Sequence, residues 1–342
     1  MTADSARFSL LTFNLLAPCY KRMYNGLGNE RRERERDYES LWRPRLEAML
    51  QLLLSVQPTP AIINLQEVWF HQPYLARLEA VLSPYYHIFY ARRPHKDDGL
   101  ATLVSKNAAL FSDVTHVSTF MLAEPSCKAP CDRVGLAVSA QIVPPDSAQL
   151  SVASRLLIVN THLTFPHSFI PPNYREMQAE VLTSFANNYA KNAPFPVVSI
   201  IVGDFNSDSK SSVCQNVTSE SFINCFQHLN GDVNPITHFN HRRQSVYVDH
   251  VFLRHGRGKE RTAPATTCCL KLARTKERYT PSPVSIKDAR ESVPKLSCAI
   301  VPVDSKVYPE HIPHHVWPTE FMVSDHRPVA IEFNRVMAPL WR

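Results

Sequence analysis

The chain has 342 residues and a formal net charge of +6, with 44% hydrophobic and 20% charged residues. This composition is ordinary for a globular protein, and a chain of this length can bury a core without disulfide or metal support. No stretch approaches the roughly 18 uninterrupted apolar residues that a membrane span needs, which excludes a helical membrane protein. The modest positive net charge suits a partner that carries phosphates, although many proteins with such a charge have no polyanionic partner.

The N-terminus and the cysteines indicate an intracellular protein. The first eight residues are polar and lack a basic region followed by an apolar one, so we expect no secretory signal. The eight cysteines are scattered without paired C-x-x-C motifs, which argues against a structural zinc site and favours free buried thiols. We therefore expect a cytoplasmic or nuclear protein that acts as a monomer.

Short apolar runs rich in Val, Ile and Leu predict strands along the whole chain. Several are apolar throughout, which indicates strands that are covered on both faces in a layered α/β fold. The predicted strands span 8–15, 61–65, 100–104, 134–142, 155–160, 197–202, 246–253 and 329–333.

Helical patterns lie between these runs. Apolar residues at helical spacing predict one helix with the inward face Trp42, Leu46, Met49, Leu50 and Leu53. A second helix is predicted from about 174 to 189, with the inward face Met177, Val181, Leu182 and Phe185. The charge-dense segment 30–37 is predicted to be a solvated helix start or loop.

The segment from 254 to about 306 has little apolar periodicity. Basic residues recur in it among Ser and Pro. This pattern predicts a long basic loop or partly disordered insertion within a single domain that spans 1–342.

Gly203-Asp204-Phe205-Asn206 directly follows the apolar run 197–202. A carboxylate and an amide two residues apart at a strand end point the same way, so they could hold a water and a phosphate oxygen together. Gly203 would allow a close backbone approach. The competing interpretation of this motif alone is an Asx turn that ends a strand.

Ser324-Asp325-His326 precedes the last predicted strand. His326 could move a proton near neutral pH, but it needs a partner that fixes its tautomer. Asp249 lies within a predicted strand, where an unpaired carboxylate would be costly. We therefore expect an Asp249–His326 pair, with a surface turn as the alternative.

Three further polar residues lie at the ends of predicted strands. His162, in Asn160-Thr161-His162-Leu163, could donate to a phosphate oxygen, although a lone His after a strand is more often structural. Asn14 ends the first strand, and Glu67 lies in Leu65-Gln66-Glu67-Val68. Magnesium is usually held by one or two carboxylates, so Asn14, Glu67 and Asp325 would suffice, and manganese could substitute.

Each motif alone favours a structural role, but together they favour one active site, because all lie at strand ends. These motifs resemble those of the deoxyribonuclease I-like endonuclease/exonuclease/phosphatase superfamily. The resemblance runs from about residue 10 to 333 and implies a four-layer α/β/β/α sandwich. Within the superfamily the chain is most similar to plant-type relatives of the carbon catabolite repressor deadenylases, through 12–18 with Tyr20-Lys21-Arg22, Trp42 with Arg45, Asp98-Gly99-Leu100, Asp132-Arg133-Val134, His238, and Asn240-His241-Arg242.

The resemblance also implies roles. Asp204 would orient or deprotonate the attacking water, Asn206 and His162 would stabilise transition-state charge, and His326 with Asp249 would take part in proton transfer. The implied metal ligands are Asn14, Glu67 and Asp325. Weaker candidates for substrate contacts are Asp98, Arg133, His238 and Arg242. Some relatives carry an EF-hand insertion, but this sequence has no Asp-x-Asp-x-Asp-Gly loop, so calcium binding is not implied.

The leading functional prediction is a magnesium-dependent phosphodiesterase that acts on RNA or another nucleotide polymer. The alternative is a phospholipid or inositol-phosphate phosphoesterase similar to neutral sphingomyelinases, since the same metal site serves both. A non-catalytic binding module is a third interpretation, and the complete set of polar residues argues against it.

Overall fold

The computed structural model describes residues 7–24, 30–122, 132–144, 151–152, 154–167, 170–171, 173–240, 244–255, 296–310 and 323–339. Within these ranges, two β-sheets pack face to face and helices cover their outer faces. The predicted four-layer α/β/β/α arrangement is therefore confirmed. No helix in these ranges is long and apolar enough to cross a membrane.

Strands account for most of the regular structure. In chain order they are β1 (Arg7–Asn14), β2 (Arg22–Tyr24), β3 (Glu30–Arg34), β4 (Ile62–Trp69), β5 (Tyr86–Arg92), β6 (Asp98–Ser105), β7 (Phe111–Met121), β8 (Val134–Ile142), β9 (Ser151–Val152), β10 (Ser154–His162), β11 (Val197–Asp204), β12 (Ile223–Asn224), β13 (His238–Phe239), β14 (Ser245–Val246), β15 (Asp249–His255), β16 (Leu296–Val307) and β17 (Val329–Pro339).

The strands form two large sheets and two short hairpins. The first sheet has the order β5-β6-β4-β1-β17-β16-β9, and the second has the order β12-β15-β11-β10-β8-β7. The hairpins are β2-β3 and β13-β14. Both large sheets are mixed, because β1 and β4 are parallel, as are β10 and β11, while most other neighbours are antiparallel.

Three apolar layers hold the fold together. The central layer lies between the sheets and contains side chains such as Leu10, Ile158 and Ile331. Burial of this kind stabilises the fold by roughly 25 cal/mol per Å² of apolar surface. Because side chains alternate along a strand, the neighbouring residues Leu11 and Val159 belong to the two outer layers.

The helices are α1 (Glu39–Ser55), α2 (Gln72–Leu82), α3 (Tyr174–Asn192), α4 (Ser212–Ser219) and α5 (Cys225–Asn230), and a short 3-10 helix spans Glu35–Asp37. The predicted inward face of α1 is buried against the first sheet. On α3, Leu182 is buried while Val181 and Phe185 pack at the margin of the outer layer. Met177, which we predicted to face inward, is exposed.

Three sequence predictions need correction. The segment 30–37 is not simply solvated, because it contains β3 and because Glu35 is buried. The strand predicted over 246–253 is divided into β14 and β15, which belong to different sheets. The predicted basic insertion is too wide at both ends, because Arg254 lies within β15 and 296–306 lies within β16. In β16, pairing with the neighbouring strand β17 overrides the weak apolar pattern. Its remaining part, 256–295, lies outside the described residues.

Four cysteines fall within the described ranges. Cys19, Cys214, Cys225 and Cys298 are all buried and free. The prediction of free buried thiols is therefore confirmed for these four.

Candidate active site

Strand direction brings the polar motifs to one edge of the two sheets. Asn14 ends β1, and Glu67 lies near the end of the parallel strand β4. His162 and Asp204 end the parallel strands β10 and β11 and are register partners. Asp249 begins the antiparallel strand β15 and is the register partner of Asp204. Residues distant in sequence therefore meet because the ends of the parallel strands and the start of the antiparallel strand β15 lie at the same edge of the sheets.

The segment that carries Asp325 and His326 approaches this edge from the first sheet. It leads into β17, whose first residue Val329 pairs with Thr12 of β1. Ser324 Oγ donates to the Asn14 carbonyl at 2.8 Å, and the His326 amide donates back to Ser324 Oγ at 3.1 Å. The serine thus fixes this segment against the end of β1.

His326 lies between two buried carboxylates. Its Nδ1 is 2.9 Å from Asp249 Oδ2, which is the pair predicted from the sequence, and its Nε2 is 3.6 Å from Asp204 Oδ2. Burial lowers the pKa of His326, but the charges of Asp249 and Asp204 outweigh burial and raise it to about 10. The imidazole is therefore protonated at neutral pH.

Asp204 collects hydrogen bonds from several motifs. Its Oδ2 accepts from Asn14 Nδ2 at 3.0 Å and lies 3.4 Å from His162 Nε2. Its Oδ1 accepts from the Asn206 amide at 2.8 Å. Burial raises the pKa of Asp204, and the charge of His326 opposes that shift. The carboxylate is consequently a stronger base than an exposed aspartate.

His162 remains uncharged in this setting. Burial lowers its pKa well below the usual value, and the nearby charge of Arg133 lowers it further. Its Nδ1 is buried without a hydrogen-bond partner in the part of the chain that the structure describes. A neutral imidazole with one unpaired ring nitrogen can interact with a substrate atom that enters the site.

Glu67 reaches the site through a backbone irregularity. The β4–β6 register shifts between Leu65 and Val68, and Glu67 itself has a φ of 53°. Such a bulge redirects a side chain at the edge of a sheet. Glu67 Oε2 accepts from the Ala17 amide at 3.0 Å, while Oε1 lies 3.5 Å from Asn14 Nδ2.

The acidic residues at this edge repel one another. Burial raises the pKa of Glu67 to about 7, and the charges of Asp98 and Asp325 add to this increase. Asp325 Oδ1 is a buried oxygen without a hydrogen-bond partner among the described residues. An unpaired carboxylate oxygen beside a second carboxylate indicates a place where a cation would be stabilised.

Gly203 and Asn206 shape the end of β11. A Cβ on Gly203, whose φ is 139°, would lie 2.0 Å from the Thr161 carbonyl oxygen, so the predicted close backbone approach is confirmed. Asn206 has a φ of 48° and donates from Nδ2 to the Leu163 carbonyl at 2.9 Å. The bond from the Asn206 amide to Asp204 also makes this an Asx turn, so the turn and the site coexist.

The four weaker candidates occupy different positions. His238 stacks on His326 with ring centroids 4.0 Å apart and borders the site. Arg133 is largely buried, and its Nε and Nη1 have no hydrogen-bond partner among the residues described. Asp98 is fully buried and accepts hydrogen bonds from Tyr20 and Arg93, and its charge acts on Glu67, so a direct substrate contact stays a prediction. Arg242 lies outside the described residues.

Sequence reasoning assigned no role to several residues that support the site. Arg93 Nη1 donates to both oxygens of Asp98 at 3.0 and 3.1 Å, and its Nη2 donates to Asp132 at 2.8 Å. Gln66 Nε2 donates to Asn160 Oδ1 at 2.8 Å, which joins the two sheets below the site. Gln66 and Asn160 both belong to the motifs, but nothing in the sequence pairs them.

Solved structures share this fold. The catalytic domain of human Nocturnin, determined with a bound sulfate anion, matches with a TM-score of 0.57 and 16% sequence identity, covering 97% of this chain and 94% of that one. TDP2 from D. rerio, complexed with a single-strand DNA product, matches with a TM-score of 0.52 and 15% identity, covering 96% of this chain and 99% of that one. At these identities the similarity concerns the fold.

Two sequence comparisons extend this result. An uncharacterized calcium-binding protein of Arabidopsis thaliana is 30% identical over 259 residues, which cover 72% of this chain. The match spans 51% of that relative, so the chain corresponds to about half of its length. The Endonuclease/Exonuclease/phosphatase family matches residues 11–326, a range that includes every motif described above. The chain therefore belongs to the endonuclease/exonuclease/phosphatase family, whose members hydrolyse phosphoester bonds.

Proposed function

We propose that the protein is a magnesium-dependent phosphodiesterase that hydrolyses RNA or another nucleotide polymer. The observation that carries this proposal is the position of His326, which is hydrogen-bonded to Asp249 and forms an ion pair with Asp204, near Glu67 and Asp325. A charged imidazole, a basic carboxylate and a cluster of oxygen ligands are the groups that phosphodiester hydrolysis needs at one place.

The residues at the edge fit magnesium. Glu67, Asp325 and Asn14 offer oxygen atoms, which hard divalent cations prefer. The repulsion between Glu67 and Asp325, together with the unpaired Asp325 Oδ1, supports a cation at this position. Manganese would be the expected substitute, because it also accepts oxygen ligands. When bound, the ion would neutralise phosphate charge and lower the pKa of a bound water.

The protein's own residues supply the remaining chemistry. Asp204 accepts a proton from the attacking water, because burial strengthens it as a base. Protonated His326, held by Asp249, donates from Nε2 toward the charge that develops on the phosphate oxygens. Asn206 and neutral His162 border the same space and stabilise this charge as dipoles.

A polyanionic substrate fits the surroundings. Arg133 Nε and Nη1 are buried without a hydrogen-bond partner among the described residues, and Nε lies 3.9 Å from Asp132 Oδ1. The charge of Arg133 acts on His162, and guanidinium binds phosphate strongly. The net charge of +6 also favours a partner with many phosphates. D. rerio TDP2, which has the same fold, was solved with single-strand DNA.

A substrate panel tests this proposal. Oligoadenylate RNA, sphingomyelin and inositol polyphosphates are compared in parallel with Mg²⁺, and we expect RNA to be cleaved fastest. Asp204→Ala and His326→Ala should each lower turnover at least about 100-fold, the low end for a lost acid or base. His116→Ala, at an exposed position on β7, is the matched control and should retain the activity.

The other outcomes are equally informative. Faster cleavage of sphingomyelin or an inositol polyphosphate would replace RNA by a lipid-type substrate at the same site. Near-normal turnover in Asp204→Ala or His326→Ala would remove the role assigned to that residue. Tight binding without cleavage of any of the three substrates would make the protein a binding module.

A further inference from the structure

A buried ion pair lies behind the site, outside the residues assigned to catalysis or metal binding. Arg45 of α1 and Glu35 of the preceding 3-10 helix have side chains that are only 5% and 4% exposed. Arg45 Nε lies 2.9 and 2.8 Å from the two oxygens of Glu35. Lys21 Nζ, 3.2 Å from Glu35 Oε1, also contacts the pair. Burying two charges is costly, so their retention needs a compensating role.

The remaining guanidinium nitrogens of Arg45 bind two separate chain segments. Nη1 donates to the carbonyls of Leu15 and Val323, both at 2.9 Å, and Nη2 donates to the Leu16 carbonyl at 2.7 Å. Leu15 and Leu16 directly follow Asn14, whereas Val323 lies two residues before Asp325. One side chain therefore ties together the two segments that carry these oxygen ligands.

The backbone around Asn14 needs this support. Leu16 has a φ of 51°, a conformation that is unfavourable for a leucine and persists only when its surroundings hold it. The planar guanidinium presents its donors in a fixed fork, so it can bind Glu35 and three carbonyls at once. A lysine ammonium has one nitrogen and cannot reproduce this geometry.

We propose that Arg45, oriented by Glu35, is a positioning residue that fixes Asn14 and Asp325 relative to each other and thereby sets the affinity of the site for a divalent cation. This inference rests on the proposed metal-dependent function. Arg45 acts through the backbone carbonyls of Leu15, Leu16 and Val323.

The test measures binding of Mn²⁺ alone to the full chain, by electron paramagnetic resonance without substrate. Arg45→Lys should weaken Mn²⁺ binding about tenfold or more, the usual effect of losing a group that orients metal ligands. Glu35→Gln should weaken binding in the same direction. If Arg45→Lys does not fold, Glu35→Gln carries the test, because it keeps the side-chain shape.

Arg335→Lys is the matched control. Arg335 is also a buried arginine that donates to backbone carbonyls, those of Ala109 and Val143 at 2.8 and 2.6 Å. It lies six residues along β17 from Val329, about 20 Å from the site end of that strand. Arg335→Lys should leave the Mn²⁺ affinity within about twofold of that of the unaltered protein. This result is expected even if Arg335→Lys and Arg45→Lys both lower the thermal stability.

Two results would overturn the proposal in distinguishable ways. Unchanged Mn²⁺ affinity in Arg45→Lys or Glu35→Gln, with only a lower melting temperature, would make the pair a purely structural contact. Failure of the unaltered protein to bind Mn²⁺ would instead remove the proposed metal site, and the positioning role with it.

Discussion

At the scale of single residues, the surroundings of His326 determine its charge. The carboxylates of Asp249 and Asp204 flank the ring, so the protonated form is favoured despite burial. Charge at this edge is thus set by neighbours on β11 and β15, the two strands that supply Asp204 and Asp249.

Asp249→Asn tests this dependence. Removing the charge that raises the pKa of His326 should lower that pKa from about 10, so the protonated imidazole is lost at lower pH than in the unaltered protein. We expect kcat to fall at least about 100-fold and the alkaline limb of its pH profile to move to lower pH. A profile measured on a nucleotide oligomer checks both effects.

Asp97→Asn is the control for that experiment. Asp97 is 54% exposed and pairs with Arg36, so its replacement should leave the alkaline limb in place. An Asp249→Asn enzyme with an unshifted limb would show that protonation of His326 does not limit turnover.

His250 provides a second prediction, on stability. Its Nε2 donates to the Ser207 carbonyl at 2.9 Å, while Nδ1 lies 3.1 Å from Asn224 Nδ2, so the ring accepts one bond and donates the other. Burial lowers its pKa to about 4. Between about pH 6.5 and about pH 4 the unfolded chain binds the extra proton, so the free energy of unfolding should decrease as pH falls through this window.

Urea unfolding at about pH 7.5 and about pH 5 measures this effect. The unaltered protein should lose more stability between these two pH values than His250→Asn, because the variant lacks the titrating ring. Equal losses in the two proteins would mean that His250 does not contribute to the pH dependence.

At the scale of elements, a polar bridge joins the two sheets directly below the site. Asn160 of β10 donates to the Leu65 and Ala101 carbonyls at 3.1 and 2.9 Å, and it accepts from Gln66 at 2.8 Å. These bonds cross the interface between the sheets, next to the apolar central layer. They hold the end of β10, with His162, at a fixed position relative to the bulge of β4, with Glu67.

Asn160→Ala should therefore reduce the free energy of unfolding by about 2–4 kcal/mol, because several buried hydrogen bonds are lost at once. Thr102→Val is the matched control. It removes a single buried bond within one sheet, from Thr102 Oγ1 to Asn64 Oδ1 at 3.1 Å, and should cost about 1 kcal/mol. Urea unfolding measures the free energy of unfolding of both variants. An equal loss in the two variants would contradict a special role for the bridge between the sheets.

The sequence predicts the central strands well, because their apolar runs are long and bounded by turn residues. It predicts the end of β11 and the Asp249–His326 pair for a related reason: polar groups at the ends of buried strands need partners. It does not predict β7, an edge strand with an irregular pattern and many exposed residues. It also misses the Glu35–Arg45 pair, since a charge-dense segment usually lies in solvent and only tertiary packing buries this glutamate.

At the scale of the whole molecule, the net charge of +6 predicts how a nucleotide polymer binds. Affinity for an oligonucleotide should fall at least about tenfold between about 50 and about 200 mM salt if three or more phosphates are contacted, because bound counterions are released. Arg133→Gln should reduce the slope of log affinity against log salt by about one, whereas Arg133→Lys should preserve most of it. Salt-independent binding would argue against a nucleic-acid substrate.

The two sheets and their strand order bring the polar residues of the motifs to a single edge, and the account depends on that edge binding a divalent ion. The most direct measurement is anomalous diffraction from a crystal of the protein soaked with Mn²⁺. We predict an anomalous peak about 2.1 Å from a Glu67 carboxylate oxygen, on the side that faces Asn14 and Asp325. The contradicting result is a crystal in which Glu67 and Asp325 are ordered and the anomalous peaks lie elsewhere, with none beside Glu67.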